Sequence, residues 1–357
     1  MRLFLIASVL ALLAGGPAFA DLSLRDQAKG LFEPIPSTPP ALAGDVATPD
    51  KLALGKMLFF EPRLSESQDL SCAACHNLST GGVDGGALSG GRNAHLAGRE
   101  VQTVLNAVFN KAQYWDGRAV DLKDQVVNSV MANPKAMLKT RGGPIAINPA
   151  ELARTKQRVI EQFRTIPAYV EAFKKAFPDE SDPLVYDNIG RAIALFETTL
   201  ITPDSPFDLW LKGDDQALSD AQKAGLKLFI DKGCASCHNG VNIGGASYAR
   251  FGVVKEPAPE YLPADDWGRF VVTKSLADKY VFKIPSLRNV ELTAPYFHTG
   301  ATFDLKKAVG VMAESQLGAQ LSADETDKIV AFLLSLTGRS PEVVLPILPP
   351  RRSPPAL

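Results

Sequence analysis

Surplus charge is missing from this chain of 357 residues: 38 lysines and arginines stand against 39 aspartates and glutamates, a formal net charge of −1. No stretch gathers the basic residues into a patch, so nothing supports a nucleic-acid partner. Long period-two alternation of apolar and polar residues is also absent, which argues against a sheet-rich fold. After the N-terminal run no apolar stretch is long enough to span a bilayer. Cysteine and histidine are scarce, four of each, so a pattern that concentrates them is where chemistry should lie.

The chain opens with Arg2, the apolar run Leu3 to Ala14 and the small-residue end Ala18-Phe19-Ala20 before Asp21. Residues 1–20 read as a secretory signal peptide, cleaved after Ala20. The remainder is long enough for two domains.

All four cysteines fall in two matching runs, Cys72-Ala73-Ala74-Cys75-His76 and Cys234-Ala235-Ser236-Cys237-His238. Each reads as a site of covalent c-type haem attachment. Two thiols one short turn apart reach the two vinyl groups of one haem, and the imidazole that follows sits beneath the iron. Two disulfides, or one zinc held by two C-x-x-C pairs, would also consume four cysteines. Neither accounts for a histidine directly after both pairs. Haem c is attached on the exported side of the membrane, so motif and leader agree on the periplasm.

A partial internal repeat precedes the two motifs, Gly55-Lys56-Met57-Leu58-Phe59 and Gly225-Leu226-Lys227-Leu228-Phe229, and implies two equivalent units. Each run reads as the end of a helix leading to its haem. The first such helix is announced by Thr48-Pro49-Asp50, and the second begins near Ser219. Two more helices show a single apolar face: one with Ile189, Ile193, Phe196 and Leu200, one with Ile329, Phe332, Leu333 and Leu336. The latter opens with the capping box Ser322-Ala323-Asp324-Glu325 and is expected to end at Gly338. The fold expected is mainly α, with two cytochrome c-like haem domains in tandem over 21–213 and 214–340. Pro203 to Asp215 reads as the connection, and 341–357 as an extended Pro-rich tail.

Four further runs extend the pattern over nearly the whole mature chain: Thr103-Val104-Leu105-Asn106-Ala107-Val108-Phe109-Asn110, Tyr114-Trp115-Asp116-Gly117-Arg118, Thr202-Pro203-Asp204-Ser205-Pro206-Phe207-Asp208 and Leu292-Thr293-Ala294-Pro295-Tyr296-Phe297-His298. Together they resemble the bacterial di-haem cytochrome c peroxidases. The resemblance implies reduction of hydrogen peroxide to water, with electrons from a small reduced cytochrome c or a cupredoxin entering at the second haem. Homodimers are common among such proteins, although no periodicity marks a dimer face here.

The second haem needs a sixth ligand, and a thioether raises the reduction potential relative to bis-histidine ligation. Met312, in Val309-Gly310-Val311-Met312-Ala313-Glu314, falls where the ligand loop of a cytochrome c-like domain belongs, just before the last helix. A core methionine is the plainer reading. At the first haem, Gly81, Gly82, Gly85, Gly86, Gly90 and Gly91 precede His95 and make a loop that can change conformation cheaply. His95 is the only histidine available there as a distal ligand. The resemblance implies that it binds the resting iron and leaves when the other haem is reduced, although it sits closer to Arg99 than the family pattern places it. A solvated loop histidine is the alternative.

Cleaving the O–O bond needs a group that accepts and then donates a proton, which a carboxylate can do. The family places this glutamate in an Asn-Pro-x-Glu motif, matched by Asn148-Pro149-Ala150-Glu151. A competing run, Asn133-Pro134-Lys135-Ala136-Met137, puts Ala136 where the acid belongs, with an insertion between Val127 and Gly143. Continuous register downstream favours Glu151, against the plainer reading of a first-turn glutamate stabilising a helix start.

Trp115 resembles the tryptophan that lies between the two haems of the family. The resemblance also implies a calcium ion, bound partly by the backbone carbonyls of Thr293 and Pro295, with Glu100 standing where a side-chain ligand is expected. His298 suggests a hydrogen-bonding role near the second haem, while Trp210 and Trp267 read as core. Two other functions fit the motifs less well. A di-haem oxidase that matures tryptophylquinone in a partner protein would have tyrosine at the Met312 position, and a pure electron carrier would keep both irons six-coordinate.

Overall fold

In the computed structural model the described residues are 22–65, 68–87, 98–128 and 149–350. The expected signal peptide, His95, the Asn133-Pro134 run, Asn148 and most of the expected insertion lie outside them. The helices, in chain order, are α1 (Leu24–Lys29), α2 (Pro49–Phe59), α3 (Cys72–Cys75), α4 (Leu122–Val127), α5 (Pro149–Arg164) and α6 (Pro167–Ala176). They continue with α7 (Tyr186–Thr198), α8 (Pro206–Leu211), α9 (Asp220–Asp231), α10 (Phe270–Thr273), α11 (Leu305–Leu317) and α12 (Ala323–Leu334). The sheet found among the described residues is one antiparallel pair, β1 (Tyr248–Arg250) against β2 (Val281–Lys283), with Tyr248 opposite Lys283. The mainly α expectation holds.

The helix starts follow their sequence signals. Thr48 Oγ1 accepts from Lys51 N at 3.2 Å and Pro49 fills the first position of α2. Ser219 with Gln222 and Ser322 with Glu325 form reciprocal capping boxes at α9 and α12. The expected end of α12 is wrong, because the helix stops at Leu334 with Ser335 as its cap. Gly338 is glycine for another reason: a Cβ there would lie 2.0 Å from the Thr202 carbonyl oxygen.

The repeated glycine has a packing cause. On α2, a Cβ at Gly55 would sit 1.9 Å from the carbonyl oxygen of Ala192 on α7. On α9, a Cβ at Gly225 would sit 1.8 Å from the carbonyl oxygen of Lys328 on α12. Each unit is thus built on two helices whose backbones touch at a glycine, and each crossing holds the C-x-x-C-H turn that follows its first helix.

Around the first crossing Leu54, Leu58, Phe59, Val159, Phe163, Tyr169, Phe173, Ile189, Ile193 and Phe196 form one core. Around the second, Phe207, Trp210, Leu226, Phe229, Ile329, Phe332 and Leu333 form another. Ala28 and Phe32, at the start of the chain, pack into this second core rather than the nearer one in sequence. The stretch read as a connection is itself folded: α8 buries Phe207, Trp210 and Leu211. Trp210 is core as expected, but Trp267 is 39 % exposed, its indole N–H donating to the Ala264 carbonyl at 3.0 Å.

The family-like runs join the two cores. Asn106 Nδ2 donates to Thr202 Oγ1 at 2.7 Å, and its Oδ1 accepts from Thr202 N at 2.8 Å. Asn289 Nδ2 donates to the same Thr202 hydroxyl at 2.9 Å. Fully buried Arg288 pairs with Asp208 at 2.7 Å and donates to the carbonyls of Val241 at 3.0 Å and Glu33 at 2.9 Å. From Thr337 to Pro349 the chain has no helix or strand. This tail returns to the first core, where Val343 packs and Arg63 Nη2 donates to the Pro349 carbonyl at 2.9 Å.

Candidate functional site

The first C-x-x-C-H run forms one helical turn, α3, closed by His76 N donating to the Cys72 carbonyl at 2.9 Å. That turn carries both cysteines on one short helical segment. His76 Nδ1 lies 3.2 Å from the Gly82 carbonyl. A carbonyl can only accept, so Nδ1 carries the proton and Nε2 is left as the metal-binding nitrogen. Burial pushes the His76 pKa down, which favours the neutral imidazole a metal needs.

Two of the loop glycines, Gly81 and Gly82, are required by close approach of neighbouring groups. Gly81 and Gly82 have φ of +78° and +75°, and Cβ atoms there would lie 2.8 Å from Leu292 and from Thr103 Oγ1. Thr103 Oγ1 donates to the Gly81 carbonyl at 2.6 Å. Their role is close approach, which aims the Gly82 carbonyl at His76.

The second run repeats the geometry. His238 N donates to the Cys234 carbonyl at 3.0 Å, and His238 Nδ1 lies 3.3 Å from the Ile243 carbonyl. Burial pushes this imidazole down to about 4. The turn faces a cavity whose lining includes Cys234, Cys237, His238, Phe229, Ile284, Pro285 and Met312. Met312 sits inside α11 and not in a loop, a correction to the sequence expectation. Asp304 caps that helix by accepting from Lys306 N at 2.8 Å, and Gly318 ends it with φ +65°.

No disulfide joins any of the four cysteines, against a disulfide reading. Among the described residues no three acidic, cysteine or histidine side chains converge as a metal site, against a shared zinc. The donor set of two thiols and one Nδ1-anchored imidazole, found twice, fits a c-type haem at each turn.

The cavity's other wall brings together Glu100, Trp115, Lys283, Thr293, Pro295 and His298. Trp115 also packs in a cluster with Phe251, Phe282, Phe297 and Met312. Its indole N–H donates to the Glu100 carbonyl at 3.0 Å, and its own carbonyl accepts from Lys283 N at 2.7 Å. Next to it, buried Asp116 pairs with Arg99 at 2.8 Å and Arg118 at 2.9 Å, while Arg99 reaches Asp266 through two nitrogens at 2.8 and 2.6 Å. His298 stacks on Phe282 with ring centroids 4.2 Å apart. Its Nε2 finds no hydrogen-bond partner among the described residues and lies 3.5 Å from Asp266.

The structure therefore places His238, Met312, Trp115, Thr293 and Pro295 around one cavity, and Cys72, Cys75 and His76 outside its lining. Glu151 is half-buried in the first turn of α5. Its neighbour Leu152 packs, with Cys72 and Ala73, against the first core.

Sequence reading missed a second carboxylate near the first turn. Glu197 on α7 is 7 % exposed, and its Oε2 has no hydrogen-bond partner among the described residues. Burial pushes it up from 4.5 to about 8; after burial, its proximity is the next influence raising the Cys72 thiol. The signal was present, since Glu197 falls four positions after Ile193 on the apolar face. A carboxyl raised in this way keeps a proton in the folded protein that the unfolded chain has released. Stability therefore falls as pH rises from about 4.5 to about 8. Glu197→Gln is expected to flatten that fall, checked by melting temperatures at the two ends of the range; an unchanged slope would remove Glu197 as its source.

The tandem of helix crossings, each followed by a C-x-x-C-H turn, defines a two-unit protein of cytochrome c-like fold. A family model described as di-haem cytochrome c peroxidase matches residues 49–216, and one described as cytochrome c matches 222–337. The cytochrome c551 peroxidase of Pseudomonas aeruginosa is 49% identical over 348 residues, covering 98% of this chain and 96% of its own. The methylamine utilization protein MauG of Methylorubrum extorquens is 33% identical, covering 93% and 91%. A crystal structure of a MauG-like protein associated with microbial copper homeostasis shares the fold, with TM-score 0.70, 24% identity and coverage of 85% and 94%. The chain belongs to the di-haem cytochrome c peroxidase family.

Proposed function

We propose that this peroxidase works in the periplasm, carries one haem c at Cys72, Cys75 and His76 and a second at Cys234, Cys237 and His238, and reduces hydrogen peroxide to water. A small reduced cytochrome c or cupredoxin supplies the electrons. The observation that carries the reading is Trp115, which belongs to the first half of the chain yet packs against the same aromatic cluster as Met312 and walls the cavity of the second turn. An electron arriving in that cavity meets this indole on its way to the first half. Met312, lining the same cavity as His238, supports thioether ligation and favours the peroxidase over the tyrosine-ligated oxidase of a partner protein.

Haem supplies the redox chemistry and the peroxide-binding iron when bound. The chain's residues orient and tune it. The carbonyls of Gly82 and Ile243 fix the tautomer and direction of His76 and His238. Arg99 and Arg118 pair with Asp116, the residue after Trp115, and Lys283 N donates to the Trp115 carbonyl. Glu151 is the proposed proton carrier at the first haem, His95 its removable ligand, and the carbonyls of Thr293 and Pro295 the proposed calcium contacts. The proposed units span 21–213 and 214–340, after a leader of 20 residues. Among the described residues no helix is long and apolar enough to cross a membrane.

The test is peroxide turnover with reduced cytochrome c, comparing the fully oxidised protein with protein given one electron per molecule. Turnover only after that electron is expected and supports His95 as a removable ligand. Equal turnover in both states would sink the gate, and no turnover in either would sink the peroxidase.

A further inference from the structure

Lys283, the last residue of β2, is 1 % exposed. Its backbone is pinned by the Trp115 carbonyl, and its side chain walls the cavity shared by His238 and Met312. Among the described residues none of the ion pairs includes it, whereas buried Arg63, Arg99 and Arg288 all have carboxylates. Glu100, in the same wall, is no partner: burial, and then Asp84, push its carboxyl up, where an adjacent ammonium would draw it down. Burial alone lowers Lys283 to about 8, which leaves it charged at neutral pH.

A buried ammonium without a counter-charge is costly, and the cost is relieved when an anion enters the same space. The rest of the wall is largely apolar, with Phe229, Ile284, Leu333 and Phe297. The shape of the requirement is a flat apolar body carrying a carboxylate at its edge. A haem has that shape, with two propionate groups.

We propose that Lys283 receives a propionate of the haem held at Cys234 and Cys237, and that its positive charge raises that haem's reduction potential. This rests on the attachment reading above. The ion pair fixes the ring against the Trp115 side of the cavity. The same charge favours the reduced iron, which carries one positive charge fewer.

The experiment is a redox titration of holoprotein followed by absorbance, for the unaltered chain, Lys283→Met and Lys283→Arg, after counting haems per chain. With two haems present, Lys283→Met is expected to lower the midpoint of the thioether-ligated haem. At a fixed potential its oxidised-to-reduced ratio should rise about tenfold, which is about 59 mV for one electron. Lys283→Arg should keep most of the original value, and the other haem should not move. A purely structural role would shift both haems or neither. Two haems with an unchanged midpoint in Lys283→Met overturns the inference and leaves the attachment reading standing. One haem in the unaltered chain overturns both. Should Lys283→Met fail to hold the second haem, restored incorporation in Lys283→Arg supports the receptor role, and failed restoration overturns it.

Discussion

Replacing Arg288 with methionine is expected to remove about 3–5 kcal/mol of stability, the range for breaking a buried ion pair by deleting one partner. Arg288 is 1 % exposed and Asp208 is fully buried. Asp208 also closes the capping box of α8 with Ser205, and its Oδ1 accepts from Ile35 N at 3.4 Å. Methionine keeps most of the volume, so the loss reports the charge left behind and the abandoned carbonyls of Val241 and Glu33. Urea unfolding of the holoprotein measures it, since the midpoint shifts by the loss divided by a slope of roughly 1–3 kcal/mol per molar. Adding Asp208→Asn to Arg288→Met should recover part of the loss. A single-variant loss below about 1 kcal/mol would show that the pair does not hold the second core to the start of the chain.

Alanine at either crossing glycine should also be severe. In an exposed helix Gly→Ala gains about 1 kcal/mol, so propensity alone predicts stabilisation. Sterics decide the sign here, because the new methyl group meets a carbonyl oxygen at 1.9 Å for Gly55 and 1.8 Å for Gly225. Neither helix can yield locally, and the crossing must open; overpacking of this kind costs about 1–3 kcal/mol or more. The net expectation is a loss near the top of that range. Gly55→Ala should disturb the spectrum of the haem at Cys72, and Gly225→Ala that of the haem at Cys234. Melting curves and visible absorbance of the two variants check this, and a variant as stable as the parent would mean that the crossing tolerates a side chain.

These glycines also show where reading the sequence stops. The repeat of Gly55 and Gly225 before each C-x-x-C-H run is plain in the chain, but its reason lies in Ala192 and Lys328, more than a hundred positions away. Capping boxes at Ser219 and Ser322 are local hydrogen-bond patterns, so their positions were legible. The end of α12 was not, since glycine marks either a helix stop or a close approach, and Gly338 is the second. Met312 is expected in a loop and lies inside α11. Val309, Gly310 and Val311 weaken a helix locally, yet Asp304 and Gly318 cap one across them. Lys283 and Glu197 sit where charge is least expected, in a strand and on an apolar helix face. Only packing shows that neither reaches solvent.

The first and last described segments are exchanged between the two cores. The first helix lies on the core built around α9 and α12, through Ala28 and Phe32, while the last segment lies on the core built around α2 and α7, through Val343 and the Arg63 bond to Pro349. Cutting the chain in the α8 region would therefore strip both products: the first piece would lack its strap, and the second would lose the helix that covers it. Neither half is a detachable module. Severing the chain there while keeping both pieces should yield a nicked protein that stays together, clasped by the segments around Phe32 and Val343.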